Sequence, residues 1–369
     1  MCLQIQQCFG SVCGRICPHE KQCQGSCVRG IKGEPVEIGE IEAYIFDEAI
    51  KNGYDKNLPK TEELKGKKIA VIGSGPAGLN AAAFLARYGA DVTIYEKYQK
   101  LGGILAHGIP DFRLEKTVLE KTIRQILNLG ITVKLGQTLG KEITIESLKK
   151  EYDAIFLGIG ANVPSKMNIP GEDLVGVYGG NTILETGKHP DYAGKKVAII
   201  GGGNVAMDCA RTIKRMGASQ VSVIYRRAEK QMPAERKEIA DAKREGIEFL
   251  FQTNVIKILG NSKVEKIECM KTQLVKKEGE TREIPIDING SNYMIDMDYV
   301  VMAVGSKADK EVLANLGLEL NEWGYIKVNE MYQTSDPKIY AGGDLIGEKA
   351  TVAWAAKAGR EAANAMKNM

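Results

Sequence analysis

The first residues with evident chemical potential are four cysteines close to the start of the sequence. Cys13, Cys17, Cys23 and Cys27 are half of the eight cysteines in this 369-residue chain. Within helical turns, residues four apart face the same side, so each pair is able to grip one inorganic core. Pro18 follows Cys17, as is common beside iron–sulfur clusters, although the spacing differs from that of bacterial ferredoxins. The pattern is compatible with an iron–sulfur cluster, a structural zinc ion or thiols without a metal.

A strand-turn-helix-strand unit spans residues 66–97, GKKIAVIGSGPAGLNAAAFLARYGADVTIYEK. Gly73, Gly75 and Gly78 form G-x-G-x-x-G directly after an apolar strand, and this pattern lets a pyrophosphate approach the backbone at a helix N-terminus. Glu96 ends the second strand, where a carboxylate can accept hydrogen bonds from ribose hydroxyls. The alternative is a turn that only connects a strand to a helix. The positions expected to contact a dinucleotide are Gly73, Gly75, Pro76, Ala77, Gly78 and Glu96.

Residues 194–227, GKKVAIIGGGNVAMDCARTIKRMGASQVSVIYRR, repeat this frame with two changes. The glycine pattern becomes G-x-G-x-x-A, and the second strand ends in two arginines instead of an acid. Two guanidinium groups at this place suit the 2′-phosphate of NADPH through charge-assisted hydrogen bonds, which favours NADPH over NADH. Two solvated arginines after a surface strand are the alternative. The positions expected to contact NADPH are Gly201, Gly203, Asn204, Val205, Ala206, Arg226 and Arg227.

Each unit is followed by a late apolar strand that runs into a glycine turn. These strands are YDAIFLGIGA at 152–161 and MDYVVMAVGS at 297–306. We interpret them as the crossings between two nucleotide-binding domains, and we expect Gly305 to lie at the NADPH site.

The C-terminal sequence IYAGGDLIGEKATVAWAAKAGREAANAMK combines a strand, a glycine-aspartate turn and a helix. Gly343 and Asp344 follow the strand, and the helix is predicted to begin near Thr351 and Val352. Asp344 is suited to accept a hydrogen bond from a cofactor hydroxyl, and the positive end of the helix would stabilise an anionic group. A role of Asp344 as a turn or capping residue is the alternative.

The overall composition excludes several classes of function. The net charge is only +3, and no basic cluster indicates binding to nucleic acid or to an acidic membrane surface. Neither a signal peptide nor an apolar run of membrane-spanning length is readable, so we expect a cytoplasmic protein. The histidines, His19, His107 and His189, have no spacing typical of a catalytic triad or a metal site. We therefore expect cofactors, rather than a catalytic side chain, to carry the chemistry.

Several of these motifs together resemble the flavoprotein reductases with two dinucleotide-binding domains. They are GSGPAGL with Glu96, GGGNVAMD with YRR, the two glycine-ended strands and YAGGDL. Within that group, GRICPHEKQC, GEPVEIGEIE, LGGILAHGIPDFRLEK and GGGNVAMDCAR are similar to the family of the small subunit of NADPH-dependent glutamate synthase. The resemblance implies FAD at the first unit and the C-terminal motif, NADPH at the second unit, and a loop LGGILAHGIPDFR, with Gly103, that runs past the flavin. Arg113 in this loop either contacts a cofactor phosphate or forms only a salt bridge.

The same resemblance bears on the cysteines. In the family, two [4Fe–4S] clusters are each assembled from this segment and from a second cysteine-rich segment upstream. The resemblance implies Cys17, Cys23 and Glu42 at one cluster and Cys27 at the other, with Cys13 as a bystander. Without the resemblance, Glu42 would be interpreted as a carboxylate on a helix surface.

The sequence starts too late to contain the upstream segment, unless Cys2 and Cys8 replace part of it. We therefore expect less iron than the eight atoms per chain that two [4Fe–4S] clusters require. We also expect residues 1–30 to be poorly ordered or held by non-native contacts.

The predicted architecture is α/β, with two Rossmann-like dinucleotide-binding domains and a short cysteine-rich helical N-terminal segment. The NADPH domain interrupts the FAD domain, because Gly73 and Asp344 must reach one flavin although Arg226 lies between them in sequence. Each domain should be a parallel sheet flanked by helices, with its ligand at the carboxyl ends of the strands. The predicted boundaries are 1–60 for the N-terminal segment, 61–175 and 328–369 for the FAD domain, and 176–327 for the NADPH domain.

Three functions are compatible with these features. The first is an electron-input subunit that passes electrons from NADPH through FAD, with or without an iron–sulfur cluster, to a large catalytic subunit or another electron-acceptor protein. The second is a free-standing NADPH reductase for quinones, dyes or nitro compounds. The third is a regulatory nucleotide-binding protein without turnover.

Overall fold

The structure, a computed structural model, describes residues 8–53, 59–276 and 283–369. The chain forms two compact units. Unit 1 comprises Met1–Ala161 and Ala308–Met369, and unit 2 comprises Asn162–Lys307. The prediction that one domain interrupts the other is confirmed.

Unit 1 begins with the helices of the cysteine-rich segment and continues as alternating strands and helices. Short 3₁₀ turns at His19–Lys21 and Val28–Ile31 lie between the first two helices. The helices and strands before the interruption are α1 (Gly10–Ile16), α2 (Ile38–Lys51), β1 (Lys68–Ile72), α3 (Pro76–Arg87), β2 (Asp91–Glu96), α4 (Ile104–His107), α5 (Lys116–Leu127), β3 (Thr132–Leu135), α6 (Ile145–Glu151) and β4 (Ala154–Leu157).

Unit 2 repeats the strand-helix alternation and adds antiparallel strands. Its 3₁₀ turn Glu229–Gln231 precedes its last helix. Its elements are β5 (Val163–Pro164), β6 (Val177–Gly179), α7 (Gly180–Thr186), β7 (Lys196–Ile200), α8 (Asn204–Arg215), β8 (Gln220–Tyr225), α9 (Arg236–Arg244), β9 (Glu248–Phe251), β10 (Thr253–Leu259), β11 (Lys266–Val275), β12 (Ile284–Asp287), β13 (Tyr293–Asp296), β14 (Tyr299–Met302) and β15 (Ser306–Lys307).

The chain then returns to unit 1 for its C-terminal elements. These are α10 (Lys310–Leu316), β16 (Ile339–Ala341), a 3₁₀ turn at Gly343–Ile346 and α11 (Val352–Met366). Of the helices in the described ranges, none has both the length and the apolar composition needed to cross a lipid bilayer.

A five-stranded parallel sheet forms the centre of unit 1, in the order β16-β4-β1-β2-β3. Successive side chains of a strand point to opposite faces. β1 therefore contributes Ile69 and Val71 to one hydrophobic core and Ala70 and Ile72 to the other. Because both faces are buried, the inner strands β1 and β4 are nearly continuous apolar runs, whereas β3 at the edge is not. Helices α3 and α11 pack against each other on the first face.

Unit 2 contains a second parallel sheet, in the order β6-β14-β7-β8-β9. Its two faces are also buried, with Val197 and Ile199 in one core and Ala198 and Ile200 in the other. The second of these cores is closed by the antiparallel strands β10, β11 and β13. The glycine turn follows β7 and therefore lies at the carboxyl edge of this sheet, as the first glycine turn does in unit 1.

Both unit boundaries lie earlier in the sequence than the predicted ones at 175/176 and 327/328. The first falls after Ala161. Residues 162–175 join unit 2 because their apolar side chains pack against its core, namely Met167, Ile169 and Leu174.

The second boundary falls after Lys307. Residues 308–327 join unit 1 because three of their side chains are buried in its second core, namely Ala308, Leu313 and Ile326. No motif marks either stretch, so only tertiary packing decides to which unit it belongs.

The predicted segment 1–60 is part of unit 1 rather than a separate appendage. Phe9, Val12 and Ile16 are buried in the first core of unit 1, beside side chains of α3 and α5. Phe9 and Val12 are 0% exposed. The expectation of poor order in residues 1–30 is therefore wrong for residues 8–17, because α1 carries an apolar face that this core buries.

Candidate cofactor-binding sites

The glycine turn after β1 leaves open space in front of helix α3. Gly73 has a φ of +91°, and a Cβ there would lie 2.6 Å from Gly158 O. A Cβ on Gly78 would lie 1.9 Å from Gly73 O, so the helix packs directly on the turn. A Cβ on Gly75, in contrast, would meet only Gly158 O, at 4.0 Å. The protein's own packing does not require glycine at 75, which fits a position where a ligand approaches the backbone.

Helix α3 presents its N-terminus to this space. Gly75 is the N-cap, Pro76 is the first helical residue, and Ala77 is buried behind it. No side chain in the described part of the chain caps this first turn. Its N–H groups and the helix dipole therefore fit an anionic group such as a pyrophosphate.

Glu96 fastens the glycine turn to the end of β2. Its side chain is 4% exposed, and its Oε2 accepts hydrogen bonds from the backbone N–H and the hydroxyl of Ser74, at 2.9 and 2.5 Å. Its Oε1 accepts a bond from the N–H of Tyr98 at 2.9 Å. The carboxylate lies beside the turn, where a ribose-binding acid is expected. Sequence reasoning missed Ser74, because a serine between two glycines carries no motif of its own.

The loop of residues 101–113 lies against the same turn. Gly103 is the N-cap of α4, and a Cβ on Gly103 would lie 2.7 Å from Gly75 Cα. Arg113 is half-buried at the end of this loop. The structure therefore places Gly103 in contact with the glycine turn. Arg113 lies at the other end of the same loop.

Gly343 and Asp344 also come to this edge of the sheet. A Cβ on Gly343 would lie 3.1 Å from the Cβ of Ala77, at the start of α3. Asp344 is half-buried, and burial raises the pKa of its carboxyl. None of the described residues forms a hydrogen bond with this carboxyl. A carboxyl in this state is suited to a hydroxyl donor from a ligand.

Helix α11 begins where the sequence predicts. Val352 is its first residue, and Thr351 is the N-cap, whose hydroxyl accepts a bond from the N–H of Trp354 at 3.3 Å. The same hydroxyl receives a bond from the side-chain amide of Gln22 at 3.4 Å. The cysteine-rich segment therefore contacts the N-terminus of α11, a contact that sequence reasoning missed.

The glycine turn of unit 2 repeats the geometry of the first. Gly201 has a φ of +142°, and a Cβ there would lie 2.3 Å from Ala303 O. A Cβ on Gly203 would meet only Pro233 Cγ, at 3.9 Å. Gly203 is the N-cap of α8, and Ala206 is fully buried against the sheet. This turn also leaves room for a ligand at a helix N-terminus.

Asn204 and Val205 form the first turn of α8. Val205 packs at the edge of the core, whereas the side-chain oxygen of Asn204 accepts a bond from the N–H of Glu235 at 3.1 Å. Gly305 follows β14 with a φ of +109°, and a Cβ there would meet nothing within 4 Å. These residues lie at the carboxyl edge of the sheet, and the contact of Gly305 with NADPH stays a prediction.

Arg226 and Arg227 directly follow β8 with their guanidinium groups available. Arg226 is exposed and Arg227 is half-buried. Neither forms an ion pair with any residue in the described ranges, and Arg227 Nε is buried without a hydrogen-bond partner. Their backbones are fixed, because Arg226 O accepts a bond from the Thr272 hydroxyl at 2.7 Å and Arg227 O accepts one from the N–H of Gln252 at 3.0 Å. Two anchored, uncompensated guanidiniums fit an anion such as a 2′-phosphate.

Three cysteines of the N-terminal segment, Cys13, Cys17 and Cys23, lie close enough to one another and to Glu42 to affect each other's ionisation. A hydrogen bond with Cys17, burial, and the charges of Cys17 and Glu42 hold the pKa of Cys13 well above its usual range. Burial raises the pKa of Cys23, and the charges of Cys17 and Glu42 add to this effect. The N–H of Val36 donates to Cys27 Sγ at 3.4 Å and lowers the pKa of Cys27.

These donors do not form a closed metal site. In residues 8–53, and throughout the rest of the described chain, no three His, Cys, Asp or Glu side chains are arranged to hold a metal ion. Cys8 packs against the first core of unit 1, and Cys2 lies outside the described residues. On these residues alone the segment does not fit a complete cluster.

The chain matches known families over most of its length. Residues 67–366 match the Pyr_redox_2 family, Pyridine nucleotide-disulphide oxidoreductase, and residues 2–54 match the Fer4_20 family, Dihydropyrimidine dehydrogenase domain II, 4Fe-4S cluster. The glutamate synthase [NADPH] small chain of Halomonas elongata is 38% identical over 368 residues, covering 95% of this chain and 78% of the relative. That of Escherichia coli K12 is 36% identical over 377 residues, covering 97% of this chain and 80% of the relative.

A solved structure shares the fold. Mycobacterium tuberculosis FprA in complex with NADPH has a TM-score of 0.71 and 22% identity, covering 82% of this chain and 84% of that one. Together these matches confirm the predicted fold class, the predicted cofactors FAD and NADPH, the 4Fe–4S character of the N-terminal segment and the resemblance to glutamate synthase small subunits. The chain belongs to the pyridine nucleotide-disulphide oxidoreductases, in the family of the glutamate synthase [NADPH] small chain, and is an NADPH-dependent flavin oxidoreductase.

Proposed function

We propose that this chain is the electron-input component of a larger assembly, taking hydride from NADPH in unit 2 and delivering electrons through FAD in unit 1 to an acceptor on a partner chain. One observation carries the proposal, namely the difference between the two glycine turns. One turn is bound to the buried carboxylate of Glu96. The other lies in a unit whose next strand is followed by Arg226 and Arg227, which form no ion pair with any of the described residues. Two turns of the same shape thus select two different nucleotides.

In unit 1, each feature has a separate task toward FAD. The α3 N-terminus would bind the pyrophosphate, Glu96 the adenosine ribose and Asp344 a hydroxyl of the chain to the flavin. The N-terminus of α11 would stabilise negative charge on the flavin ring. The residues proposed to hold FAD are Gly73, Gly75, Pro76, Ala77, Gly78, Glu96, Gly103, Arg113, Gly343, Asp344, Thr351 and Val352.

In unit 2, the α8 N-terminus would bind the pyrophosphate of NADPH, and the two arginines its 2′-phosphate. The residues proposed to hold NADPH are Gly201, Gly203, Asn204, Val205, Ala206, Arg226, Arg227 and Gly305. These residues would hold the two nucleotides, and the bound flavin would supply the redox chemistry, namely hydride acceptance from NADPH and electron release to the next acceptor. The chain's own residues orient the two nucleotides and set the charge around them, and none of them is needed as a nucleophile or an acid.

A partner chain is expected to accept the electrons. The relatives are named as the small chain of glutamate synthase, so a large chain that receives the electrons is the expected partner. We place the reaction in the cytoplasm, because each of the seven cysteines in the described ranges is a free thiol, as is usual in a reducing compartment.

The N-terminal segment is proposed to contribute donors to iron–sulfur ligation, in line with its 4Fe–4S family. The proposed donors are Cys13, Cys17, Cys23, Cys27 and Glu42. Further donors from outside the described residues must complete the set, since no three of those described converge.

The test uses the FAD-loaded chain and a one-electron dye. We expect NADPH oxidation that depends on the dye, and we expect the chain purified from its own cells under mild conditions to carry a larger partner that changes which acceptor is reduced. Turnover with quinones at the same rate with and without any partner would favour a free-standing reductase instead. Absence of NADPH oxidation with every acceptor would contradict the proposed function as a whole.

A further inference from the structure

The segment that begins with the two arginines is held in place by contacts at its C-terminal end. We call residues 226–235 the arginine loop. It leaves β8 at Arg226 and ends at Glu235, the N-cap of α9. Inside it, Met232 is 7% exposed and Ala234 is 3% exposed, and both pack in the core beside α8. The loop is therefore anchored between its ends, unlike a free surface loop.

Three hydrogen bonds tie the end of the arginine loop to the glycine turn of unit 2. The N–H of Ala234 donates to Gly202 O at 3.0 Å. The N–H of Glu235 donates to Asn204 Oδ1 at 3.1 Å, and Asn204 Nδ2 donates to Glu235 Oε1 at 3.4 Å. The amide of Asn204 thus uses both its acceptor and its donor on one residue of the loop. An amide is suited to this pair of contacts, because it offers both functions in one plane.

A second contact fixes the helix that follows the loop. Arg211, on α8, has a side chain only 7% exposed, and it forms ion pairs with three acids along one face of α9. These are Glu238, Asp241 at 3.4 Å and Glu245 at 2.9 Å. Asn204 and Arg211 are seven residues apart on α8 and therefore share one helix face. α9 is held to α8 at both points, so the loop cannot shift without breaking buried pairs.

The arginine loop is therefore held in place at both of its ends, beside the N-terminus of α8. One end carries the guanidiniums of Arg226 and Arg227, and the other is latched to the first residue of the helix that would bind the pyrophosphate. In NADPH, the covalent structure fixes the reach from the pyrophosphate to the 2′-phosphate. Two charged groups bind such a ligand well only when they are held at the matching distance.

We propose that Asn204 and Glu235 are positioning residues for the 2′-phosphate of NADPH. The pairing of β7 with β8 sets where Arg226 and Arg227 begin, and the mutual hydrogen bonds of Asn204 and Glu235 hold the rest of the arginine loop against α8, so that the two guanidiniums stay directed at one anion site. This inference rests on the proposed function, since it assumes that NADPH binds at this turn. It gives Asn204 a role through the loop, in addition to its place in the first turn of α8.

The test measures binding of two nucleotide fragments to the FAD-loaded protein by calorimetry, without turnover. The fragments are adenosine 2′,5′-bisphosphate and adenosine 5′-monophosphate, which differ by the 2′-phosphate. We expect Asn204→Ala to weaken the bisphosphate about three- to tenfold and the monophosphate less than about twofold. Glu235→Ala should show the same selective loss. Equal losses for both fragments, or no loss for either, would overturn the inference.

A conservative variant separates positioning from simple damage to the fold. Glu235→Gln keeps an oxygen acceptor for the side-chain amide of Asn204 and adds no negative charge at the helix N-terminus. It should therefore not show the selective loss expected for Glu235→Ala. A selective loss as large as that of Glu235→Ala would count against the proposed contact.

The matched control is Asn292→Ala, which removes an asparagine-to-glutamate bond of the same kind in unit 2. Asn292 Nδ2 donates to Glu268 Oε1 at 2.7 Å on the exposed antiparallel strands. This variant should bind both fragments normally. The double variant Arg226→Ala with Arg227→Ala tests the underlying assumption: if it keeps its preference for the bisphosphate, the proposed NADPH site fails. If it loses the preference while Asn204→Ala does not, only the latch fails.

Discussion

The side-chain amide of Gln22 donates a hydrogen bond to the hydroxyl of Thr351, at 3.4 Å and across 329 residues of sequence. The same hydroxyl caps α11 by accepting a bond from the N–H of Trp354. Gln22 directly precedes Cys23, and Thr351 begins the helix that is proposed to face the flavin. The bond therefore joins the cysteine-rich segment to the flavin-binding half of unit 1.

This contact predicts an order of stabilities. Gln22→Ala removes one long neutral hydrogen bond and should lower the free energy of unfolding by about 0.5–1 kcal/mol. Thr351→Ala removes the same bond and the cap, so its loss should be larger, about 1–2 kcal/mol. Thr351→Ser keeps the hydroxyl and should stay close to the native value. Urea unfolding of the three variants checks the order, and a loss for Gln22→Ala that equals or exceeds that for Thr351→Ala would contradict it.

The two glycines after β1 should respond differently to alanine. Gly73→Ala should destabilise the protein even without FAD, because φ is +91° and the new Cβ would lie 2.6 Å from a carbonyl oxygen. Gly75→Ala should leave the thermal midpoint of the FAD-free protein nearly unchanged, since its Cβ meets only Gly158 O at 4.0 Å. It should nevertheless weaken FAD binding, because the methyl group occupies the space of the pyrophosphate. Normal FAD content in the Gly75→Ala variant would contradict this placement.

The sequence predicts the two glycine turns and the places of Glu96, Arg226 and Arg227 along the chain, because each motif is local and follows an apolar strand. The roles of these side chains toward nucleotides stay predictions. The sequence misplaces the unit boundaries, since residues such as Met167 and Leu313 carry no signal of which core will bury them. It also misses the partners of Asn204 and Thr351. A polar side chain in a motif has many possible partners, and only the folded chain shows which one lies opposite.

Asp344 should make the protein without FAD less stable as the pH rises. Burial raises the pKa of its carboxyl, so the favourable contribution of its neutral form is complete below the ordinary value of about 3.9 and is lost as the pH rises through the raised pKa. Asp344→Asn should therefore stabilise the FAD-free protein near neutral pH, and the gain should shrink toward acid pH. The same variant should weaken FAD binding, since it removes a charged acceptor.

Asp336 serves as a control, because its pKa is shifted in the direction opposite to that of Asp344. Burial is the largest single influence on Asp336 and works against its ionisation. The hydrogen bonds from Lys149 and from the N–H of Lys338, together with the charges of both lysines, nevertheless lower the pKa of this carboxyl. Asp336→Asn should therefore destabilise the protein at neutral pH and matter less in acid. Thermal unfolding of both variants across pH checks the pair, and equal pH profiles would contradict the account of Asp344.

The iron content tests the cysteine-rich segment. Because no three donors converge within the described residues, the chain purified by itself should hold fewer than the eight iron atoms that two [4Fe–4S] clusters require. Its NADPH:dye activity should survive removal of the iron by a chelator. Eight tightly bound iron atoms per isolated chain, lost together with dye reduction, would contradict both statements.

The most direct test of the central claim is anaerobic reduction of the bound flavin, followed by its visible absorbance after mixing with NADPH or NADH. The account predicts one FAD per chain that NADPH reduces far more readily than NADH. In the double variant Arg226→Ala with Arg227→Ala, the advantage of NADPH over NADH should fall by about 1.5–3 kcal/mol for each charge-assisted hydrogen bond that is lost. The control is Arg244→Ala, which removes an exposed guanidinium on α9 that pairs with Asp241. This control should leave the advantage of NADPH intact. If the double variant slows flavin reduction by NADPH and by NADH to the same extent, the assignment of the two turns is contradicted.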